Sequence, residues 1–585
     1  MLKVVGASWL QTRISTYILV AVALMGIGAI VLGEFGRVDN DGTYAAVVTW
    51  NPKTGYKIDF WGQGNDLETL PRRTARGYYR TRIQETGWSF VEIETSPNYP
   101  DAVQAYAAGL LEGSLTWQLI HHHWHNTIEA PCVGREEVCD KIRKGLKENA
   151  DATRDRANAL AAEDPFWHMV QLFYAQLEGL EQGWRQAVKR SKNSAELAQE
   201  DFLWLAMASD ISNFGSEDHP TSERNFNVEA GGILVKSVPT EDGNLRGLIG
   251  IIHSTAAPYQ KMLRLMKKYT FGYHLNSAKN SARVPTRSIV ASSYPGALSS
   301  QDEYYLLHGE KTEDTMIIAG TPLAPFKPDS KETEGEIIVS EKQESHTVMS
   351  SARIMSSNWL SSSALSWGRY LARRRAPEDI SRPVQWIITT PRDTSIWIIE
   401  QHPSETHAID YTKIFTNTKS LFCNGKSVFE HKKSIPSSPG VSPSPLEPST
   451  PSEGPEHLRG AEEIEKTGGE IGETNEIGGI KKDISVSQRV NSTLNSKLIK
   501  ETPGAEWIMG YRGDLEKVAV PFGNIDTKLV LIGSEGIETF QATSGPFSGR
   551  FGKAFEWGRD FPGVTHVGQP EKFHFQPVTP SWAWV

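Results

Sequence analysis

Cysteine is scarce in this chain, with three in 585 residues. None of them falls in a Cys-x-x-Cys pair, which excludes a zinc ribbon or a dithiol redox centre. There is no Gly-x-Ser-x-Gly elbow either, so the serine nucleophile of an α/β-hydrolase has no local signature. Positive charge is not in excess: a formal net charge of −9 and a pI near 6.0 leave no footprint for nucleic acid. What is there is a globular composition, 38% hydrophobic against 22% charged, which suits a folded chain with some disordered sequence. Seventeen tryptophans point to a large, aromatic-rich core.

The N-terminus carries a targeting signal. Lys3 and Arg13 precede an unbroken apolar run over residues 17–33, with Val31 and Gly33 small enough for a signal-peptidase site. The run is just short of the roughly 20 residues that span a bilayer comfortably. It reads as a cleaved signal peptide, or as an uncleaved signal-anchor that leaves a type II membrane protein, with membrane contact only through residues 17–33. Either way residues 34 onward face a secretory or lysosomal lumen, or are secreted. In that compartment Cys132 and Cys139 are spaced for a small-loop disulfide, while Cys423 has no evident partner.

Five stretches follow in order. Residues 1–33 are the signal or anchor. Residues 34–230 run from strand patterns (44–50, 88–93) into helical stripes such as Val103, Tyr106, Ala107, Leu110 and Leu111. Residues 231–433 are strand-rich, with β-type runs at 248–253, 385–390 and 395–401. Residues 434–503 are rich in Pro, Ser, Gly and Glu and poor in aromatics, so they cannot bury enough apolar area to offset their ordering entropy; they read as a disordered insertion. This insertion holds a glycosylation sequon at Asn491. Residues 504–585 close the chain, with a further strand at 528–533. Helices segregated from strands indicate an α+β fold.

The segment from Val228 to Tyr269 concentrates the chemistry. Ile233 to Val238 and Leu248 to His253 are β-type runs around the turn residues Asp242-Gly243-Asn244, which predicts a hairpin. Met262, Leu265, Met266 and Tyr269 then recur at helical spacing, which predicts an amphipathic helix.

This segment resembles the catalytic hairpin of the phospholipase B-like family, the lamina-ancestor type of N-terminal-nucleophile hydrolase. The family reads Gly-His-Cys-Ser-Ala-Leu-(Val/Ile)-Lys, a variable turn and His-Asn-Thr-Trp. Here the same frame is Glu229-Ala230-Gly231-Gly232-Ile233-Leu234-Val235-Lys236, then His253-Ser254-Thr255-Ala256, and finally Tyr259-Gln260-Lys261-Met262-Leu263-Arg264. Further resemblances, in the same order along the chain, are Gln104-Ala105-Tyr106-Ala107-Ala108-Gly109, Ser300-Gln301-Asp302-Glu303-Tyr304, Arg512-Gly513-Asp514-Leu515 and Gly523-Asn524-Ile525-Asp526-Thr527-Lys528.

The resemblance implies a four-layer αββα sandwich of N-terminal-nucleophile type. It also implies hydrolysis of lipid ester or amide bonds, a lipid or acyl-amide ligand, and neither a metal nor an organic cofactor. It supports the pairing of Cys132 with Cys139, and a packed role for His121-His122-His123-Trp124-His125 at a helix end in place of a metal site. In the family's mechanism the chain cleaves itself before a Cys, whose thiol is the nucleophile and whose new α-amine is the base. Here the nucleophile position is Gly231. The family's Asn-Asn-Gln-Trp, which supplies an oxyanion-binding Asn, aligns with Pro383-Val384-Gln385-Trp386, and its Trp after His-Asn-Thr is Ala256. Of the polar shell His253, Thr255, Arg512 and Asp514 remain, Arg512 and Asp514 as an ion pair or as substrate contacts. Glu112 reads as a buried polar partner or a solvated side chain. The expectation is a catalytically impaired, ligand-binding relative. The alternative is an active phospholipase or amidase with an unrecognised nucleophile, or with a gene-model error at the site.

Overall fold

The computed structural model describes residues 42–61, 67–213, 230–238, 248–323, 336–338, 348–373, 383–429, 509–546 and 553–584, apart from 279, 312, 403–405 and 534–535, together with residues 17 and 20. The rest of the apolar segment 17–33, the turn at 239–247 and the tract 434–503 with Asn491 lie outside the described residues.

In chain order the main strands are β1 (Thr43–Asn51), β2 (Gly55–Trp61), β3 (Ala75–Arg82), β4 (Trp88–Thr95), β5 (Ala230–Val238), β6 (Leu248–Pro258), β7 (Arg264–Thr270), β8 (Ser288–Ser293), β9 (Tyr304–His308), β10 (Thr315–Pro322), β11 (Glu336–Ile338), β12 (Val384–Thr390), β13 (Ser395–Gln401), β14 (Thr406–Asp410), β15 (Ser420–Cys423), β16 (Phe522–Gly533) and β17 (Gly536–Ser544). Twelve of them form one sheet in the order β11-β14-β13-β12-β10-β9-β8-β7-β4-β3-β1-β2, and five form a second, β15-β5-β6-β16-β17. The expected hairpin is present: Ile233 pairs with His253 and Val238 with Leu248, antiparallel.

Alternation along each strand sets the layers. In β4, Val91 and Ile93 join a core shared with helices, whereas Trp88 and Phe90 join a core shared with Ile233, Val235, Ile251 and Val530 of the second sheet. The two sheets therefore stack face to face, with helices on the outer side of the larger one. The fold is mixed α+β. The sequence divisions are not independent units, since β4 pairs with β7 and β6 with β16.

One sequence expectation is corrected. The segment over Met262–Tyr269 is not an amphipathic helix; after one 3₁₀ turn at Tyr259–Lys261 it is β7, a central strand between β4 and β8. Leu265 and Tyr269 face the helical layer and Met266 faces the second sheet. A strand buried on both faces loses the period of two, and its apolar positions then fall on helical spacing by coincidence.

The helical layer is led by α1 (Asp101–Leu115), α2 (Glu136–Leu160) and α3 (Pro165–Ser191). Glycines let α1 and α3 touch backbone to backbone. A Cβ on Gly109 would lie 1.8 Å from Gln176 O, on Gly113 2.0 Å from Leu180 O, and on Gly183 2.2 Å from Leu110 O. Cys132 and Cys139 are joined in a disulfide with a Cα–Cα separation of 6.0 Å, and Cys423 is free and buried.

Candidate functional site

Gly231, which the sequence resemblance sets at the nucleophile position, lies where β5 begins, opposite Thr255 of β6. Gly231 has φ +147°, a conformation that L side chains rarely adopt, and an added Cβ would meet Ser254 O at 2.1 Å. Thr321 Oγ1 donates to its carbonyl oxygen at 3.1 Å. By strand alternation Thr255 and His253 share the face of Ile251, toward the large sheet.

There they meet a cluster of fully buried charges. A register shift in β16 between Asn524 and Asp526 sets Asp526 opposite Thr255 and Lys528 opposite His253. Lys528 Nζ donates to Thr255 Oγ1 at 3.0 Å, to Asp526 Oδ1 at 2.6 Å and to Asp302 Oδ2 at 2.9 Å. From the large sheet Arg264, the first residue of β7, forms ion pairs with Asp302 and with Asp526, the latter at 2.5 Å. Ser292 Oγ and Ser300 Oγ donate to Asp302 at 2.9 and 2.6 Å, and Thr255 Oγ1 donates to it at 3.2 Å. Two cations thus balance two carboxylates, all four side chains at 0% exposure.

The electrostatics follow from that balance. Burial alone raises the Asp302 carboxyl, but Arg264 and Lys528 override it and hold the group far below the usual carboxylate range. Burial likewise opposes the Arg264 charge, and Asp302 and Asp526 push its pKa above the ordinary value. Burial pushes His253 down to about 3, with Lys528 adding to the effect, so the ring is neutral near pH 7. Its Nε2 lies 2.9 Å from Gly320 O, which identifies Nε2 as the protonated nitrogen, and Nδ1 has no hydrogen-bond partner among the described residues. A cavity lined by Ser299, Ser300, Glu303, Val384, Trp386 and Gln401 adjoins the cluster through Ser300, and its volume is about 10 Å³. That is room for roughly one water.

Residues 75–424 match the sequence model of the phospholipase B family. The chain belongs to the phospholipase B-like family. It is 36% identical over 395 residues to the phospholipase B-like lamina ancestor of Drosophila melanogaster, a match spanning 64% of this chain and 58% of that protein. It is 26% identical over 546 residues to human phospholipase B-like 2, spanning 86% of this chain and 84% of the relative. A phospholipase B-like 3 of Caenorhabditis elegans is 28% identical over 390 residues, 65% of this chain and 63% of that protein.

Of the family-derived site residues, Gly231, His253 and Thr255 come together. Arg512 and Asp514 form a separate group. Arg512 Nε donates to Asp514 Oδ1 at 2.8 Å, Tyr259 Oη donates to the same oxygen at 2.7 Å, and Arg512 Nη1 donates to Lys553 O at 3.0 Å. They are an ion pair that fixes the Tyr259 turn at the end of β6. Val384 is packed in the helix-side core with Trp386, and Ala256 lies 2% exposed opposite Ala230. Glu112 is a buried partner: it accepts from Lys267 Nζ at 2.5 Å and Tyr269 Oη at 2.6 Å. The histidines of the 121–125 tract go to different partners. His121 stacks on Trp124, His123 stacks on Tyr294, and His125 pairs with Glu129.

Sequence reasoning assigns no site role to Arg264, Asp302, Asp526, Lys528, Ser292 or Ser300, although all but Ser292 fall in the family-like segments quoted above. Asp526 and Lys528 carried a usable signal: two opposite charges at i and i+2 on one face of a strand that continues as the apolar run Leu529–Ile532. Arg264 ends a family-like segment, but helical spacing there gives no hint that its charge faces a second sheet.

Proposed function

We propose that this chain is a secretory-pathway phospholipase B-like protein with the four-layer αββα architecture of N-terminal-nucleophile hydrolases, and that it binds a lipid or acyl-amide ligand without turning it over. The observation that carries the reading is the backbone at Gly231. An N-terminal nucleophile needs a side chain at the head of β5; here the chain takes a glycine conformation, and the place of a Cβ is filled by Ser254 O at 2.1 Å. The surrounding polar groups are spent on one another: Thr255, Lys528, Asp302, Asp526 and Arg264 form a charge-balanced network. Neutral His253 is buried, and its Nε2–H is given to a backbone carbonyl, Gly320 O, and not to a carboxylate that would make the ring a stronger base. Cys423, the free thiol of the described residues, is held well above the ordinary thiol range by burial, which suppresses the thiolate. Residues 17–33 and Asn491 fit the secretory or lysosomal assignment.

The test uses the full chain produced in a secretory host. N-terminal sequencing and intact mass are expected to show no break between residues 229 and 232, and fluorogenic acyl esters and amides are expected to show no turnover. A stoichiometric break there, or turnover abolished by a serine- or cysteine-acylating reagent, overturns the proposal in favour of an active hydrolase. A mass loss on enzymatic deglycosylation tests the lumenal assignment separately.

A further inference from the structure

A second cavity, of about 560 Å³, opens at the far end of β7 from Arg264, at Lys268 and Thr270. Four steps of strand lead from Arg264 to Lys268, about 13 Å along the chain. The volume falls in the range of about 300–1,000 Å³ found for small-molecule sites. Five cations line it, Arg72, Arg73, Arg76, Lys268 and Arg283, against a single carboxylate, Glu94, on a chain whose net charge is −9.

Two of the five cations are already neutralised. Arg76 Nη2 pairs with Glu94 Oε2 at 2.6 Å and its guanidinium lies 4.1 Å from the centre of the Trp584 ring. Lys268 pairs with Glu92 at 3.0 Å and donates to Trp584 O. Among the described residues the other three have no carboxylate to themselves. Arg72 approaches only the already paired Glu94, at 3.8 Å. Arg283 donates to the carbonyl oxygen of Phe271 at 3.2 Å, and Arg73 has no acidic side-chain partner among the described residues. Burial and the neighbouring Arg287 lower the Arg283 pKa and outweigh the opposing pull of the more weakly acting Glu310 and Asp101. Three like charges gathered at a recess with low-dielectric walls focus a positive potential and attract an anion. Guanidinium forks match phosphate geometry, and a phosphate monoester carries about −1.5 to −2 charge at pH 7. The rest of the wall mixes hydroxyl side chains and His308 with an apolar and aromatic surface supplied by Pro97, Phe271, Val290 and a half-buried Trp582.

We propose that this cavity binds an amphiphilic phosphate monoester, its phosphate held by Arg72, Arg73 and Arg283 and its apolar body laid against Trp582 and Phe271. The site is separate from Gly231, so the inference stands or falls independently of whether the chain hydrolyses anything.

Calorimetric titration of the full-length protein tests it with four probes below their aggregation concentrations: 2-naphthyl phosphate, dihexanoyl phosphatidic acid, inorganic phosphate and 2-naphthol. The two organic phosphates are expected to bind at least tenfold more tightly than inorganic phosphate, and 2-naphthol not to bind detectably. Whichever of the two binds more tightly identifies the source, a soluble aromatic phosphate or a lipid headgroup. The triple variant Arg72→Gln/Arg73→Gln/Arg283→Gln, changed at exposed side chains, is expected to keep the parent's thermal midpoint and lose at least tenfold in affinity. Arg73→Lys, which keeps the charge, supplies a milder comparison should the triple variant be unstable, with affinity within about threefold of the parent. Trp582→Ala is expected to weaken the organic phosphates and leave inorganic phosphate unchanged. No binding of either organic phosphate at millimolar concentration, binding indifferent to the triple variant, or equal affinity for inorganic phosphate overturns the proposal.

Discussion

Substituting Gly231 separates a vacated active site from one merely awaiting its side chain. The native φ of +147° is disfavoured for an L residue by about 1–3 kcal/mol. In addition, a Cβ would lie 2.1 Å from Ser254 O, well over 1 Å inside ordinary contact, and that oxygen belongs to the backbone of β6, whose pairing with both β5 and β16 prevents it from simply moving aside. Overpacking in a closed core adds about 1–3 kcal/mol. Gly231→Ala should therefore cost about 2–6 kcal/mol. Gly55→Ala is the control: its φ is +75° with nothing within 4 Å of the added carbon, so only the backbone penalty of about 1–2 kcal/mol remains. The difference between the two in denaturant midpoint, measured at constant slope, isolates the steric part. Gly231→Cys carries the same penalty and is expected to yield a destabilised, uncleaved and inactive protein. Parental stability in Gly231→Cys, together with self-cleavage before residue 231, would refute the reasoning: the strand would then have kept the geometry of a nucleophile.

Other perturbations test the frame around the site. Gly113→Ala should lower the thermal midpoint sharply, with a cost of about 3 kcal/mol or more. The added methyl meets Leu180 O at 2.0 Å, which outweighs the gain of about 1 kcal/mol in helix propensity; unchanged stability would refute the backbone contact between α1 and α3. Asp302→Ala leaves Arg264 and Lys528 sharing one carboxylate in a dry interior and should cost about 3–5 kcal/mol by denaturant unfolding. Cys132→Ser removes a link of sequence separation 7 and should cost about 2–3 kcal/mol, read as the difference between oxidised and reduced parent. The pH dependence follows from His123 and His253, both pushed down to about 3 by burial. The unfolded chain protonates each ring near pH 6.5 while the folded chain does not, so stability is present above pH 6.5 and falls as pH drops from there toward 3. The slope approaches about 1.4 kcal/mol per pH unit for each ring. His123→Phe, keeping the stack on Tyr294, should remove one ring's share of that slope between pH 6.5 and 4, and a slope equal to the parent's would count against it.

The parts of the fold that were legible in the sequence are those in which one physical pattern dominates. β1, β4 and the β5–β6 hairpin announce themselves by alternation or by turn residues, and the helices from Asp101 to Ala206 by stripes that pack into the core they share with the large sheet. Failure came at β7, where burial on both faces erased the alternation, and with it went the most consequential buried cation, Arg264. The same cause hid the cluster itself. Its members come from β6, β7, β8, the turn carrying Ser300 and Asp302, and β16, segments up to more than 270 residues apart in the case of Thr255 and Lys528. No local rule joins such positions; only the stacking of two sheets does. Sequence motifs had marked Asp302, Asp526 and Lys528 as part of a recurring frame without saying what they do. Their arrangement supplies a reason for the frame to persist around a glycine at position 231. A neutral four-charge cluster cannot lose one member without stranding another in a dry interior, so the residues around Gly231 are held by mutual compensation whether or not any reaction takes place there.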